Sequence, residues 1–151
     1  MDHEEQEPRL FSLTEAERTR REVEPVLIEA VEARRKITGL GEKLSAISSR
    51  IMMMGGLTVR YEDVARLRID HDRLAEQIKE AIEKIHATGC LIKDLDTGLL
   101  DFPSVRNNEE IYLCWRLGED RIRFWHRQNE GFAGRKPIDS SDPGSKHPII
   151  H

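Results

Sequence analysis

Large apolar and aromatic side chains are scarce in this sequence. Aromatic residues make up 5% of its 151 positions, while charged residues reach 34%. That ratio argues against a thick globular core and suits elongated paired helices with solvated outer faces. A run of about 18 apolar residues, enough to span a membrane, is missing. The chain opens on Asp2, Glu4, Glu5 and Glu7 without an apolar stretch, so no secretory signal is expected and the reading is a cytoplasmic protein. Cys90 and Cys114 are the only cysteines and have no CxxC spacing, which points to two buried, reduced thiols. Nothing matches a GxSxG elbow, a P-loop, HExxH or a dinucleotide fingerprint, so the reading leans away from an enzyme. The 24 basic and 28 acidic residues leave a net charge of −4, against a generally basic nucleic-acid binder.

What the sequence does contain is helical periodicity. Residues 1–10 are polar and read as a flexible N-terminus. Ser12 or Thr14 can cap a helix whose first turn carries Glu15 and Glu17. Ala16, Val23, Val26, Ala30, Ala33, Ile37, Leu40, Leu44, Ile47, Ile51 and Met54 then follow a three-and-four step, a heptad seam of about five repeats. Pro25 interrupts it and predicts a kink or a break. After Gly55-Gly56 a second seam runs through Val64, Leu67, His71, Leu74, Ile78, Ala81, Ile85 and Thr88, and Gly89 ends it. Two seams joined by a short loop make an antiparallel helical hairpin over 11–89. The first helix would be roughly 60 Å long and the second roughly 40 Å. The turns before Pro25 therefore overhang, and the segment after Gly89 is expected to cover them.

From Cys90 the period changes. Cys90-Leu91-Ile92 and Leu99 to Phe102 read as strands flanking a turn at Asp96-Thr97-Gly98. Asn107-Asn108 is a further turn. Glu110–Leu117 and Arg121–Arg127 read as a hairpin around Gly118-Glu119. Residues 90–138 thus form a three- to four-stranded antiparallel β-unit packed on the helices, and 139–151 read as a flexible tail. The fold class is α+β in a single domain.

The strings FSLTEAE (11–17), KDLDTGLLDFP (93–103), IYLCWRLGE (111–119), WH (125–126) and GFAGRKP (131–137) together resemble a conserved bacterial family known as domain of unknown function (DUF) 2203. The resemblance runs from Phe11 to about Ile138. It implies the same architecture and marks the β-unit as its most distinctive part, but it implies no mechanism.

Candidate chemistry follows from the hairpin register. A tight turn at Gly118-Glu119 would pair Ile111 with His126 and Tyr112 with Trp125. Ile111, Leu113 and Trp115 would then share a core-facing side with Ile122, Phe124 and His126. His126, an ionisable group at the end of an apolar face, is the leading candidate site residue. With Asp101 and His86 it could form a two-histidine, one-carboxylate metal site, while Cys114 would point the other way. No cofactor is predicted, and a transition metal is the one the residues could take. The opposite face would carry Tyr112, Arg116, Arg121, Arg123 and Trp125, a basic and aromatic platform of the kind that binds single-stranded nucleic acid. Arg135 in GFAGR could contact an anion, although no helix follows the loop; its plainer reading is a loop whose Phe132 anchors the chain onto the core. DLDTG (94–98) fails the EF-hand pattern and reads as a turn. His71, at a polar point of the seam, is expected to bond a hydroxyl such as Ser45 or Ser48.

The leading functional expectation is a non-catalytic interaction or scaffold protein that self-associates, as a dimer, through its helices. Apolar residues beyond the seam, Leu27, Ile28, Val31, Ile69 and Ile82, motivate it, because two-helix layers need a partner. The alternative is a metal-binding protein or metal-dependent enzyme with its site in the β-unit around His126. Nucleic-acid binding comes third.

Overall fold

A computed structural model describes residues 9–54 and 60–138; the flexible termini and the Gly55-Gly56 loop expected from the sequence lie largely or wholly outside these residues. Helix α1 spans Leu13–Met54 and α2 spans Tyr61–Ala87. Ser12 and Glu15 form a reciprocal cap. The Glu15 N–H donates to Ser12 Oγ at 3.0 Å, and the Ser12 N–H donates to Glu15 Oε1 at 3.2 Å. Of the kink or break expected at Pro25, the break does not occur: α1 runs through it as one helix. Pro25 lies on the exposed side, while Val23, Leu27, Ala30 and Val31 around it are buried. Packing of those neighbours offsets the one lost backbone hydrogen bond. The helices run antiparallel: Leu40 faces Leu74, and Ile51 faces Val64 and Arg68. At the end of α2 the Thr88 hydroxyl donates to the Ile85 carbonyl at 2.6 Å, and Gly89 takes a φ of 96°, as a terminating glycine does.

The sheet is a five-stranded antiparallel meander, one strand more than the upper expectation. Its strands are β1 Leu91–Asp94, β2 Leu99–Arg106, β3 Glu109–Arg116, β4 Phe124–Arg127 and β5 Lys136–Pro137, in spatial order β1-β2-β3-β4-β5. Asp94 closes the first turn by accepting from the Asp96 N–H and the Thr97 hydroxyl, so DLDTG is a turn as expected. Asn107 and Asn108 both adopt positive φ, 52° and 64°, matching the twist of the β2–β3 hairpin.

The β3–β4 register corrects the sequence reading. Tyr112 pairs with His126 and Leu113 with Trp125, one residue away from the expected pairing. The connection is not a two-residue turn but the longer stretch from Leu117 to Arg123. Glu119 folds back there: its side chain accepts from the Arg116 N–H at 2.7 Å, and its carbonyl accepts from Trp115 Nε1–H at 3.0 Å. Because side chains alternate with period two, this single step exchanges the two faces of β4. Trp125 turns to the core, while Phe124 and His126 turn away from it.

The core joins Leu100, Phe102, Ile111, Leu113, Trp115 and Trp125 of the sheet to Phe11, to Ala16, Val23, Leu27 and Val31 of α1, and to Ile85 of α2. The sheet thus covers the first turns of α1. Glu17 ties the two together by accepting the Ile122 N–H at 2.6 Å, and Arg20 links Glu17, Glu24 and the Asp120 carbonyl above the Trp115 ring. Leu27 and Val31, expected on a free helix face, are core residues, whereas Ile28 and Ile69 are exposed. Among the described residues none between Ala33 and Ile78 is buried, so half of the hairpin projects as an arm without a closed core.

Two substitutions should separate these ends. Leu27→Ala is expected to lower stability by about 2–5 kcal/mol, read as a reduced urea midpoint. Gly39→Ala, in an arm position with nothing within 4 Å of an added Cβ, should raise stability by up to about 1 kcal/mol.

Candidate functional site

The outward face of the sheet holds a buried polar group. Asp101 on β2 pairs directly with Cys114 on β3, and β4 places His126 opposite Tyr112, two residues from Cys114 along the strand. All three side chains therefore leave the sheet on the same side. Their relative exposures are 1%, 0% and 4%, and one ligand atom from each lies within 4.8 Å of the other two. His126 Nε2 is 3.1 Å from both Asp101 oxygens, and its Nδ1 is 2.8 Å from the Arg127 carbonyl oxygen. A carbonyl only accepts, so Nδ1 carries a proton and Nε2 is the atom presented to the group. Nε2 and the carboxylate then share one further proton, since a bare lone pair facing an anion would be repelled.

The electrostatics suit a sequestered group. Burial pushes the Asp101 carboxyl above the usual carboxylate range, against the opposing pull of His126, the Cys114 thiol that hydrogen-bonds it, and Lys93. Burial also pushes the Cys114 thiol up to about 12, and the nearby Asp101 charge adds to this. The Cys90 thiol is buried and raised in the same way, and both cysteines are free. Tyr112 partly covers the face, its ring 5.4 Å from that of His126, with the Lys93 ammonium 5.0 Å above it.

Of the metal set expected from the sequence, Asp101 and His126 come together and His86 does not join them. His86 is exposed near the end of α2, where it lines a cleft of about 450 Å³ with Tyr112, Glu110 and Gln128. Cys114 takes the third place, although the sequence reading had put it on the other face. The register slip is the reason. A signal for the group did exist: Asp101 is the lone charged residue in the apolar run Leu99–Phe102.

The basic, aromatic platform is dispersed by the same step. Trp125 is buried on the core side, with Lys136, Arg106 and Arg127 stacked around it. Arg123 is paired with Asp120 at 2.9 Å and Arg135 with Glu119 at 2.6 Å, while Arg116 lies over Phe132. Arg121 is exposed and Tyr112 sits beside His126. Arg135 is largely buried, its guanidinium 3.9 Å above the Phe124 ring, and its Nε has no hydrogen-bond partner among the described residues. Phe132 is exposed and held under Arg116 and Arg135, so it does not anchor the loop in the core. His71 lines an arm groove with Leu44 and Ser48, but its polar neighbour is Asp72 at 3.5 Å.

A helical hairpin capped by a five-stranded meander that buries a carboxylate, a thiol and an imidazole on its outward face defines an α+β protein with one distinctive polar centre. Residues 9–138 match the family model described as "Uncharacterized conserved protein (DUF2203)", and the chain belongs to that family. No curated protein and no solved structure matches it. Asp101, Cys114 and His126 each lie in one of the strings that carried the resemblance. Among the described residues no helix is long and apolar enough to cross a membrane.

Two measurements check the electrostatics. In metal-free protein, Asp101→Ala leaves Nε2 of His126 and the Cys114 thiol buried without their partner, and should cost about 3–5 kcal/mol in urea denaturation. Asp120, held down to about 2 by its hydrogen bonds with Arg123, should show that midpoint in a carboxyl NMR titration. Its folded value is depressed, so its contribution to stability is present above the unfolded value of 3.8 and is lost as pH falls towards 2.

Proposed function

We propose that this is a cytoplasmic, non-catalytic interaction protein that self-associates through the arm of its helical hairpin. The observation that carries this reading is the arm itself: two long helices extend past the sheet-covered core without burying one described residue between Ala33 and Ile78. Apolar side chains collect towards its end. Met52 and Met53 are 81% and 85% exposed, Tyr61 82% and Ile69 57%. Gly39 and Gly41 further weaken α1 as an isolated helix there.

The occupant that fits is a second copy of the chain. From Arg34 to Met54, α1 carries five basic residues against Glu42 alone. From Arg60 to Gln77, α2 carries five carboxylates against four arginines. Antiparallel packing of two arms sets the basic helix of one copy beside the more acidic helix of the other, closing a four-helix bundle. An arm face roughly 30 Å long and two helices wide offers area of the order of the ~800 Å² per partner found in stable interfaces. Two free, buried thiols suit a reducing compartment.

Sedimentation equilibrium at micromolar concentration is the test. The wild-type chain should sediment at twice its mass, and Ile69→Glu combined with Met53→Glu should give a monomer with an unchanged circular dichroism spectrum. A wild-type monomer across that range would remove the proposal.

A further inference from the structure

We infer that Asp101, Cys114 and His126 form a binding site for one borderline-soft divalent transition ion of the zinc class. Carboxylate, thiolate and imidazole are the donor types that such an ion takes, and each comes from a different one of three adjacent strands. Zinc bonds of about 2.0–2.3 Å to these donors in tetrahedral geometry require ligand atoms about 3.3–3.7 Å apart. The three ligand atoms already lie within 4.8 Å of one another, and the His126 Nε2 to Asp101 distance is 3.1 Å. Side-chain adjustments of a few tenths of an ångström to about 1 Å bring them to the required spacing without a change of register.

The orientation of His126 is a second, independent observation. A ligating histidine ordinarily donates its other ring N–H to a carbonyl or carboxylate, which fixes the tautomer and points the free nitrogen at the metal. His126 does this: Nδ1–H donates to the Arg127 carbonyl and Nε2 faces Asp101 and Cys114. All three side chains leave a hydrogen-bonded sheet rather than a loop, so the donors are held before an ion arrives. Charge balance also fits. Without metal, the group keeps a thiol proton and the proton shared by His126 and Asp101. A divalent ion replaces both, leaving a thiolate, a carboxylate and a neutral imidazole around two positive charges. Three protein donors fill three tetrahedral positions and leave the fourth for water or an exogenous anion.

The test uses the full-length chain purified without chelator or affinity tag, titrated with zinc and with cobalt(II). One equivalent of either should bind per chain, and cobalt should produce an intense near-ultraviolet thiolate-to-metal charge-transfer band. Cys114→Ser should abolish that band and lower zinc affinity by about 100-fold or more, because loss of a direct ligand exceeds the 10–100-fold typical of outer-shell changes. Cys90→Ala, which removes the other buried thiol, should leave both unchanged. Should Cys114→Ser fail to fold, the wild-type chain decides alone: one equivalent of zinc must shift the His126 Nε2 and Cys114 Cβ NMR signals. No stoichiometric binding, binding without the charge-transfer band, or zinc shifts confined to other residues would overturn the inference.

Discussion

The pairing of Tyr112 with His126 across β3 and β4 is the constraint on which both faces of the sheet depend. Strand side chains alternate, so this register sends Leu113, Trp115 and Trp125 towards α1 and collects Asp101, Cys114 and His126 on the other side. A slip of one residue would turn an imidazole towards the helix-facing core and expel a tryptophan from it. Several contacts hold the register. Glu119 caps the end of β3 through the Arg116 amide and the Trp115 indole, and Glu17 of α1 captures the Ile122 amide. The last of these couples the sheet register to the helix, because the amide must arrive where the first turns of α1 present Glu17.

Energetically the molecule has two unequal ends. Aromatic residues are few, yet both tryptophans and two of the four phenylalanines are buried together where the sheet meets the helices. The buried aromatic surface therefore concentrates its stabilisation at that end. The arm receives little of it and relies on a half-exposed seam, continuous with the well-packed helices below. One end is accordingly rigid enough to preorganise three polar side chains, while the other offers surface to a partner. The same scarcity of core material produces both properties.

Much of this organisation was legible in the sequence. The heptad seams, the Ser12 cap, the glycine that ends α2, the Asp94 turn and the paired asparagines all follow from local rules, and local rules held there. Pro25 does not end the helix because the cost of one missing amide is small beside four buried neighbours in the same two turns. The β3–β4 register was misread because Gly118-Glu119 looks like a tight hairpin. What lengthens the connection is tertiary: Glu119 folding back, Arg20 reaching the Asp120 carbonyl, and Glu17 taking the Ile122 amide from another part of the chain. Asp101 and His126 were recognisable as ionisable groups in apolar runs. Cys114 was not, because its relation to them passes entirely through the register.

That register is open to direct measurement by nuclear Overhauser contacts between β3 and β4 in isotope-labelled protein. The account predicts cross-strand contacts linking Tyr112 with His126 and Cys114 with Phe124, together with side-chain contacts from Trp125 to the helix-facing core. Contacts linking Ile111 with His126 and Tyr112 with Trp125 would contradict it, dispersing the buried polar group and returning the histidine to the core face.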